Sequence, residues 1–203
     1  MKKEDSQEYV YTIKVPMQRV AVIIGKQGQT KKELEDLMKC ELEINSQEGD
    51  VTIICDDAIK MYNNTLVIKA IARGFNPDKA VLLLSDSYIL EIIELNDYVS
   101  ENQYPRLRSR VIGTKGSTRA TLEEKSGAMI SIFGKTIAII GKIEEVSLAK
   151  YAVEMLLKGA KQTSAYKYLD ARMADNIKTQ LESKEYFYQK FEDKDIDEFK
   201  KDD

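Results

Sequence analysis

One short pattern occurs twice in the chain, 88 positions apart: Ile23-Ile24-Gly25-Lys26-Gln27-Gly28 and Val111-Ile112-Gly113-Thr114-Lys115-Gly116. Each copy is two aliphatic residues, then Gly-x-x-Gly with a lysine between the glycines. The match continues without a gap. Gly28-Gln29-Thr30-Lys31 lies over Gly116-Ser117-Thr118-Arg119, Leu34-Glu35-Asp36 over Leu122-Glu123-Glu124, and Leu42-Glu43-Ile44 over Ile130-Ser131-Ile132. A repeat of this length, with its glycines in register, is one supersecondary unit used twice.

The pattern around each copy predicts the same order of elements. Residues 8–15 alternate as a strand and Pro16 ends it. A short apolar helix from Gln18 runs into the glycine turn, and Thr30–Lys39 is the next helix, with Leu34, Leu37 and Met38 on one face. Glu41 onward and Val51 onward make a hairpin across Gly49-Asp50. Asp56 or Asp57 caps a long helix that ends at Gly74. Asn76-Pro77 then opens a short connector helix through Leu84. From Tyr88 the order repeats, with a hairpin two residues shorter and a last helix from Glu144 to Leu157. Each unit reads β-α-α-β-β-α. The resulting division is an N-terminal tail over 1–7, a first unit with its connector over 8–86, and a second unit over 87–162. A C-terminal helix over 163–185 and a charged tail over 186–203 follow.

Net charge is −3, which at first argues against a nucleic-acid partner. Residues 184–203 carry all of it, with eight acids and five bases, so the other 183 residues balance at zero. Residues 104–125 hold six bases against two acids, and residues 14–39 six against three. Local basic surface, rather than overall pI, is the electrostatic footprint of a nucleic-acid site.

A glycine pair between two helices lets backbone approach a ligand without a Cβ in the way. The second helix presents its unpaired N–H groups and positive dipole end there, which suits a phosphate. The candidate phosphate and nucleic-acid contacts are therefore Gly25, Lys26, Gln27, Gly28, Thr30 and Lys31 in one unit. In the other they are Gly113, Thr114, Lys115, Gly116, Ser117, Thr118 and Arg119. Ile24 with Ile44, and Ile112 with Ile132, are placed to line an adjacent apolar groove. Arg106 and Arg110 are added as cations on the helix before the second loop; Arg108 lies between them, and residues two apart do not share a helix face. Arg73 reads as a structural residue at a helix C-terminus rather than an RNA contact.

Within the β-α-α-β-β-α order, both loops resemble type I KH units, which clamp about four nucleotides of single-stranded RNA. The expected fold class is α+β: two tandem type I KH domains with a C-terminal helix. Many KH units carry isoleucine three residues after the second glycine, whereas this chain has Lys31 and Arg119. That Gly-x-Thr-(Lys/Arg) pattern, with Ala70-Ile71-Ala72-Arg73-Gly74-Phe75-Asn76-Pro77-Asp78-Lys79-Ala80, resembles the Partner-of-Nob family of ribosome-assembly factors. The resemblance covers about residues 8–185 and excludes the tail. It implies binding of small-subunit (16S) ribosomal RNA near its 3′ end and cooperation with the Nob endonuclease in final trimming. Archaeal members are also associated with the alpha subunit of translation initiation factor two. The intact first glycine loop and the short N-terminal segment resemble the archaeal type.

Catalytic chemistry finds little support. The chain has no histidine, the commonest general base and zinc ligand. Cys40 and Cys55 read as reduced structural thiols, and no metal or cofactor is expected. Gly134-Lys135-Thr136 ends like a P-loop, but Met129 stands where its first glycine belongs and a strand follows where a helix is required. No apolar run approaches the roughly 18 residues that span a bilayer. No signal-peptide pattern opens the sequence, so a cytoplasmic RNA-binding protein is expected. The alternatives are a KH-fold protein scaffold or a general RNA-binding regulator. The aromatic-rich charged tail reads as solvated, with docking to a protein partner as its alternative.

Overall fold

A computed structural model describes residues 8–175. The first unit is β1 (Tyr9–Lys14), α1 (Met17–Ile24), α2 (Gln29–Met38), β2 (Glu41–Asn45), β3 (Asp50–Cys55) and α3 (Ala58–Ala72). A connector follows, α4 (Pro77–Ala80) running into a 3-10 turn over Val81–Leu84. The second unit is β4 (Ile89–Glu94), α5 (Tyr104–Ile112), α6 (Ser117–Ser126), β5 (Met129–Phe133), β6 (Thr136–Gly141) and α7 (Ile143–Leu157). A further helix, α8, covers 162–175. Both units thus have the expected order and α8 is the expected C-terminal helix. The expected tails at 1–7 and 186–203, and helix beyond 175, lie outside the described residues.

Local chemistry explains the boundaries. Of the two candidate caps, Asp57 is used: its Oδ1 accepts from Ile59 N at 2.8 Å and Lys60 N at 2.9 Å. Asp56 instead pairs with Lys60 at 3.0 Å. Asn45 holds the first hairpin turn by accepting from Gln47 N and Glu48 N. On α2, Leu34 and Met38 are buried, but Leu37 is 57% exposed. The expected three-residue stripe is therefore two residues wide, one helical turn apart.

Each sheet is antiparallel with the last strand in the middle, β1-β3-β2 and β4-β6-β5. The sheets differ in what covers their outer faces. Val10, Thr12 and Thr52 of the first sheet face solvent or are partly exposed. In the second sheet every residue of β6 is buried. Ile137 and Ile139 face the helices of their own unit. Ala138 and Ile140 belong to the core of the first unit, alongside Ile53, Ile68, Ile71 and Leu83. Fully burying a residue such as Ile140 contributes about 1.5–3 kcal/mol, so this two-sided strand ties the units together.

The seam runs along the end of α3. Gly74 has φ +99°, and a Cβ there would lie 2.6 Å from Ser131 Oγ and 2.8 Å from Phe133 Cβ. Without that Cβ the backbone lies against β5, and Ser131 Oγ donates to Arg73 O at 3.0 Å. Arg73 reaches Glu94 of β4 at 3.9 Å. Arg19 of α1 lies 5.8 Å from the Phe133 ring centroid. The Ala70–Phe75 segment is thus the surface on which the second sheet docks.

Candidate nucleic-acid interface

The two glycine loops have nearly the same backbone. Gly25 has φ 68°, ψ −175°, and Gly113 has φ 72°, ψ −179°, a region essentially closed to other residues. The third position is left-handed in both, Gln27 at φ 53° and Lys115 at φ 52°, as is the last, Gly28 at 77° and Gly116 at 80°. The first glycine meets a second requirement. A Cβ on Gly25 would overlap the side chain of Thr30, and one on Gly113 that of Thr118. At Gly28 and Gly116 the space outside is open.

These contacts reassign the threonines. Thr118 is buried and supports the loop from beneath, so it is no RNA-facing hydroxyl; its Oγ1 accepts from Gln162 Nε2 of α8 at 2.7 Å. Thr30 is half-buried in the same place. Lys26, Gln27, Thr114 and Lys115 are exposed at the loop tips, and Ser117 is exposed at the start of α6. No side chain caps α2 or α6, whose N-cap residues are Gly28 and Gly116. Gln29 N donates back to Lys26 O and Ser117 N to Thr114 O, so the amides left to face an anion are those that follow in the first turn.

Lys31 and Arg119, which replace the expected isoleucine, make the same contact in each unit. Lys31 Nζ lies 3.5 Å from Glu35 Oε1, and Arg119 Nη2 lies 3.2 Å from Glu123 Oε1. That carboxylate oxygen also accepts from the strand, from Leu42 N at 2.9 Å and Ile130 N at 2.7 Å. Each cation therefore steadies the acid joining the second helix to its edge strand. Both keep an exposed fraction of about a third or more beside the loop.

Beside the loops, Ile24 and Ile44 are half-buried against the first core and Ile132 against the second. Ile112 is 36% exposed. They sit at the rim of the cores, where one side of each side chain is open to a base.

The three arginines of α5 go separate ways. Arg106 is exposed and Arg108 Nη1 donates to Gly134 O at 3.2 Å. Arg110 is not the free cation expected: Nε donates to Leu156 O at 3.0 Å and Nη2 to Ala160 O at 2.6 Å, at the end of α7. In the first unit Arg19 does the same for α3, donating from Nε to Ile71 O at 2.7 Å and from Nη2 to Phe75 O. Both clasp one carbonyl in the last turn of a helix and one just past its end, where a cation is also favoured by the dipole. The sequence reading missed Arg19 and Gln162; a cation one or two turns before each glycine loop was the available signal.

Among the described residues no cluster of His, Cys, Asp and Glu is arranged to hold a metal ion, and no helix is long and apolar enough to cross a membrane. Burial, then the Cys55 thiol and the Glu35 carboxylate, push the Cys40 thiol up to about 12, away from nucleophilic use. The arrangement offers amides and cations for phosphates beside apolar rims for bases.

The chain is similar to known proteins. The pattern for the eukaryotic type KH domain (KH domain type I) matches residues 89–174, and the general KH domain pattern matches residues 10–62. The KH domain-containing protein MJ0443 of Methanocaldococcus jannaschii is 44% identical over 163 residues, 78% of this chain and 71% of that protein. The pre-rRNA-processing protein PNO1 of Chaetomium thermophilum is 25% identical over 168 residues, 77% of this chain and 63% of its own length. The crystal structure of a complex of a/eIF2alpha, aDim2p and rRNA from Pyrococcus horikoshii contains a chain 41% identical, with a TM-score of 0.79. That match covers 84% of this chain and 97% of the other.

Proposed function

The chain belongs to the Partner-of-Nob family, the tandem KH proteins that include archaeal Dim2p and the pre-rRNA-processing protein PNO1, and from that membership we propose its function. It binds single-stranded RNA near the 3′ end of small-subunit ribosomal RNA and assists the final processing of that RNA. The observation that carries this reading is the pair of glycine loops with one backbone geometry, each opening an uncapped helix and bearing an exposed lysine. A relative of 41% identity has been crystallised in a complex with rRNA.

In this reading each loop grips the RNA backbone. Phosphates meet the first-turn amides of α2 or α6 together with Lys26 or Lys115, and Gln27, Thr114 and Ser117 border the same phosphates. Gly25, Gly28, Gly113 and Gly116 give the close approach; Thr30 and Thr118 hold it in shape. Lys31 and Arg119 add charge at the edge. Bases lie along Ile24 and Ile44, or Ile112 and Ile132. The protein acts by binding and positioning, not as a catalyst. The alpha subunit of initiation factor two is the expected protein partner, since a/eIF2alpha shares the relative's complex. The Nob endonuclease follows from family membership, and a cytoplasmic location from the same role.

The test is binding of an RNA matching the 16S 3′ end against a scrambled control, over a series of salt concentrations. Phosphate contacts predict a log-log slope of roughly −0.7 per contact for a single strand. A flat salt dependence, or equal affinity for the scrambled RNA, would count against the reading.

A further inference from the structure

Beyond the end of α7, the two units differ in a way that bears on how much RNA the second one holds. Ile71 and Phe75, whose carbonyls Arg19 caps, correspond to Leu156 and Ala160, whose carbonyls Arg110 caps. In the first unit the chain continues as Phe75-Asn76-Pro77-Asp78. Phe75 is 3% exposed there, and Arg19 is covered by the Phe133 ring. Protein fills that position. In the second unit the corresponding residues are Ala160-Lys161-Gln162-Thr163, and among the described residues nothing covers them. A hollow of about 410 Å³ remains, lined by Arg110, Leu156, Gly159, Lys161, Gln162 and Thr163. A smaller one of about 150 Å³ adjoins it, sharing Arg110 and Gly159 and adding Arg106 and Lys158.

This surface begins at the glycine loop itself. Gln162 donates to Thr118, and Thr118 lies under Gly113, so one side chain separates the first hollow from the loop backbone. Its charge is also available. Lys158 is held 3.3 Å from Glu154, but Arg106 and Lys161 are exposed and have no ion-pair partner among the described residues. A polyanion gripped at Thr114–Gly116 passes over unpaired cations if it turns toward the end of α7.

We propose that single-stranded RNA held by the second glycine loop continues over Arg106, Lys161 and Gln162, so that this unit contacts more nucleotides than the roughly four of a KH groove. The first unit, where protein occupies the same place, has no such extension. The inference rests on the reading of the second loop as an RNA site.

The experiment compares two RNAs drawn from the 16S 3′ end, one of four nucleotides and one extended by about four on each side. The proteins are the wild type, an Arg106→Glu/Lys161→Glu variant, and a Thr114→Asp/Lys115→Asp variant. Thermal unfolding checks that the exposed charge changes leave folding intact. The proposal predicts that Arg106→Glu/Lys161→Glu weakens binding of the short RNA far less than that of the long one. The variant binds the long RNA about tenfold more weakly or worse, with a salt slope shallower by roughly one to one and a half. Equal affinity of wild type and this variant for the long RNA would overturn the extension while leaving the loop reading intact. Indifference of both RNAs to Thr114→Asp/Lys115→Asp would overturn the loop reading, and the extension with it.

Discussion

Thr118 fills the space that a side chain on Gly113 would need, and Thr30 does the same beneath Gly25. The first glycine of each loop is therefore fixed twice, by its backbone angles and by the threonine five residues on. The last glycine is fixed only by its angles. Gly113→Ala should destabilise the fold by about 2–4 kcal/mol, combining an overlap with a strained backbone. Gly116→Ala should cost about 1–2 kcal/mol. Chemical denaturation of the two variants separates them, and equal losses would refute the role given to Thr118.

Gly74 is the corresponding control point between the units. An alanine there brings its Cβ to 2.6 Å from Ser131 Oγ in a left-handed backbone. The expected loss is again about 2–4 kcal/mol. Because Ala138 and Ile140 pack across the same seam, the variant should expose β6 as well. Amide exchange in β6 should quicken more than in β3. Unchanged exchange would mean that the seam adapts.

Removing the cap of α3 has a smaller, local effect. Asp57 accepts two backbone N–H groups, so Asp57→Ala should cost about 1 kcal/mol. Asp56→Ala, which loses only an exposed ion pair, should be close to neutral. Urea midpoints of the two variants check this difference.

Cys40 supplies a pH-dependent test. Its thiol is pushed up to about 12, first by burial, then by Cys55 and Glu35. An unfolded cysteine titrates near ~8.5. The native state therefore keeps a proton that the unfolded state loses. The resulting stability is fully present below about 8.5 and disappears as pH rises towards about 12. The wild type should lose more stability between pH 8 and pH 10.5 than Cys40→Ser. Iodoacetamide at pH 8.5 should label Cys40 slowly until the protein is denatured.

The local order of elements was legible in the sequence because its signals are local: the glycine pairs, the aspartate pair that caps α3, Pro16 and Pro77. The docking of the units was less so. The run Ile137-Ala138-Ile139-Ile140 carries the sign of a strand buried on both faces, and only the partner that buries its second face was hidden. Gly74 read as a helix end, which it is, but its missing Cβ also matters to Ser131, 57 positions away. Among the candidate contacts, exposure separated residues that composition had grouped together. Arg110 and Thr118 proved to hold the loop's surroundings, while Lys26, Lys115 and Arg106 stayed at the surface. A charge on a helix next to a glycine loop does not reveal whether a carbonyl has already claimed it.

The central claim is that the glycine loops are the RNA-gripping elements. Its most direct measurement is affinity for the 16S 3′-end RNA in wild type, in Lys26→Asp/Gln27→Asp and in Thr114→Asp/Lys115→Asp. These residues are exposed at the loop tips, so folding should be preserved. The account predicts that at least one variant loses sequence-selective binding while its thermal unfolding is unchanged, with the second loop showing the larger loss. Equal binding by all three proteins would contradict it and move the function of the fold to contacts with protein.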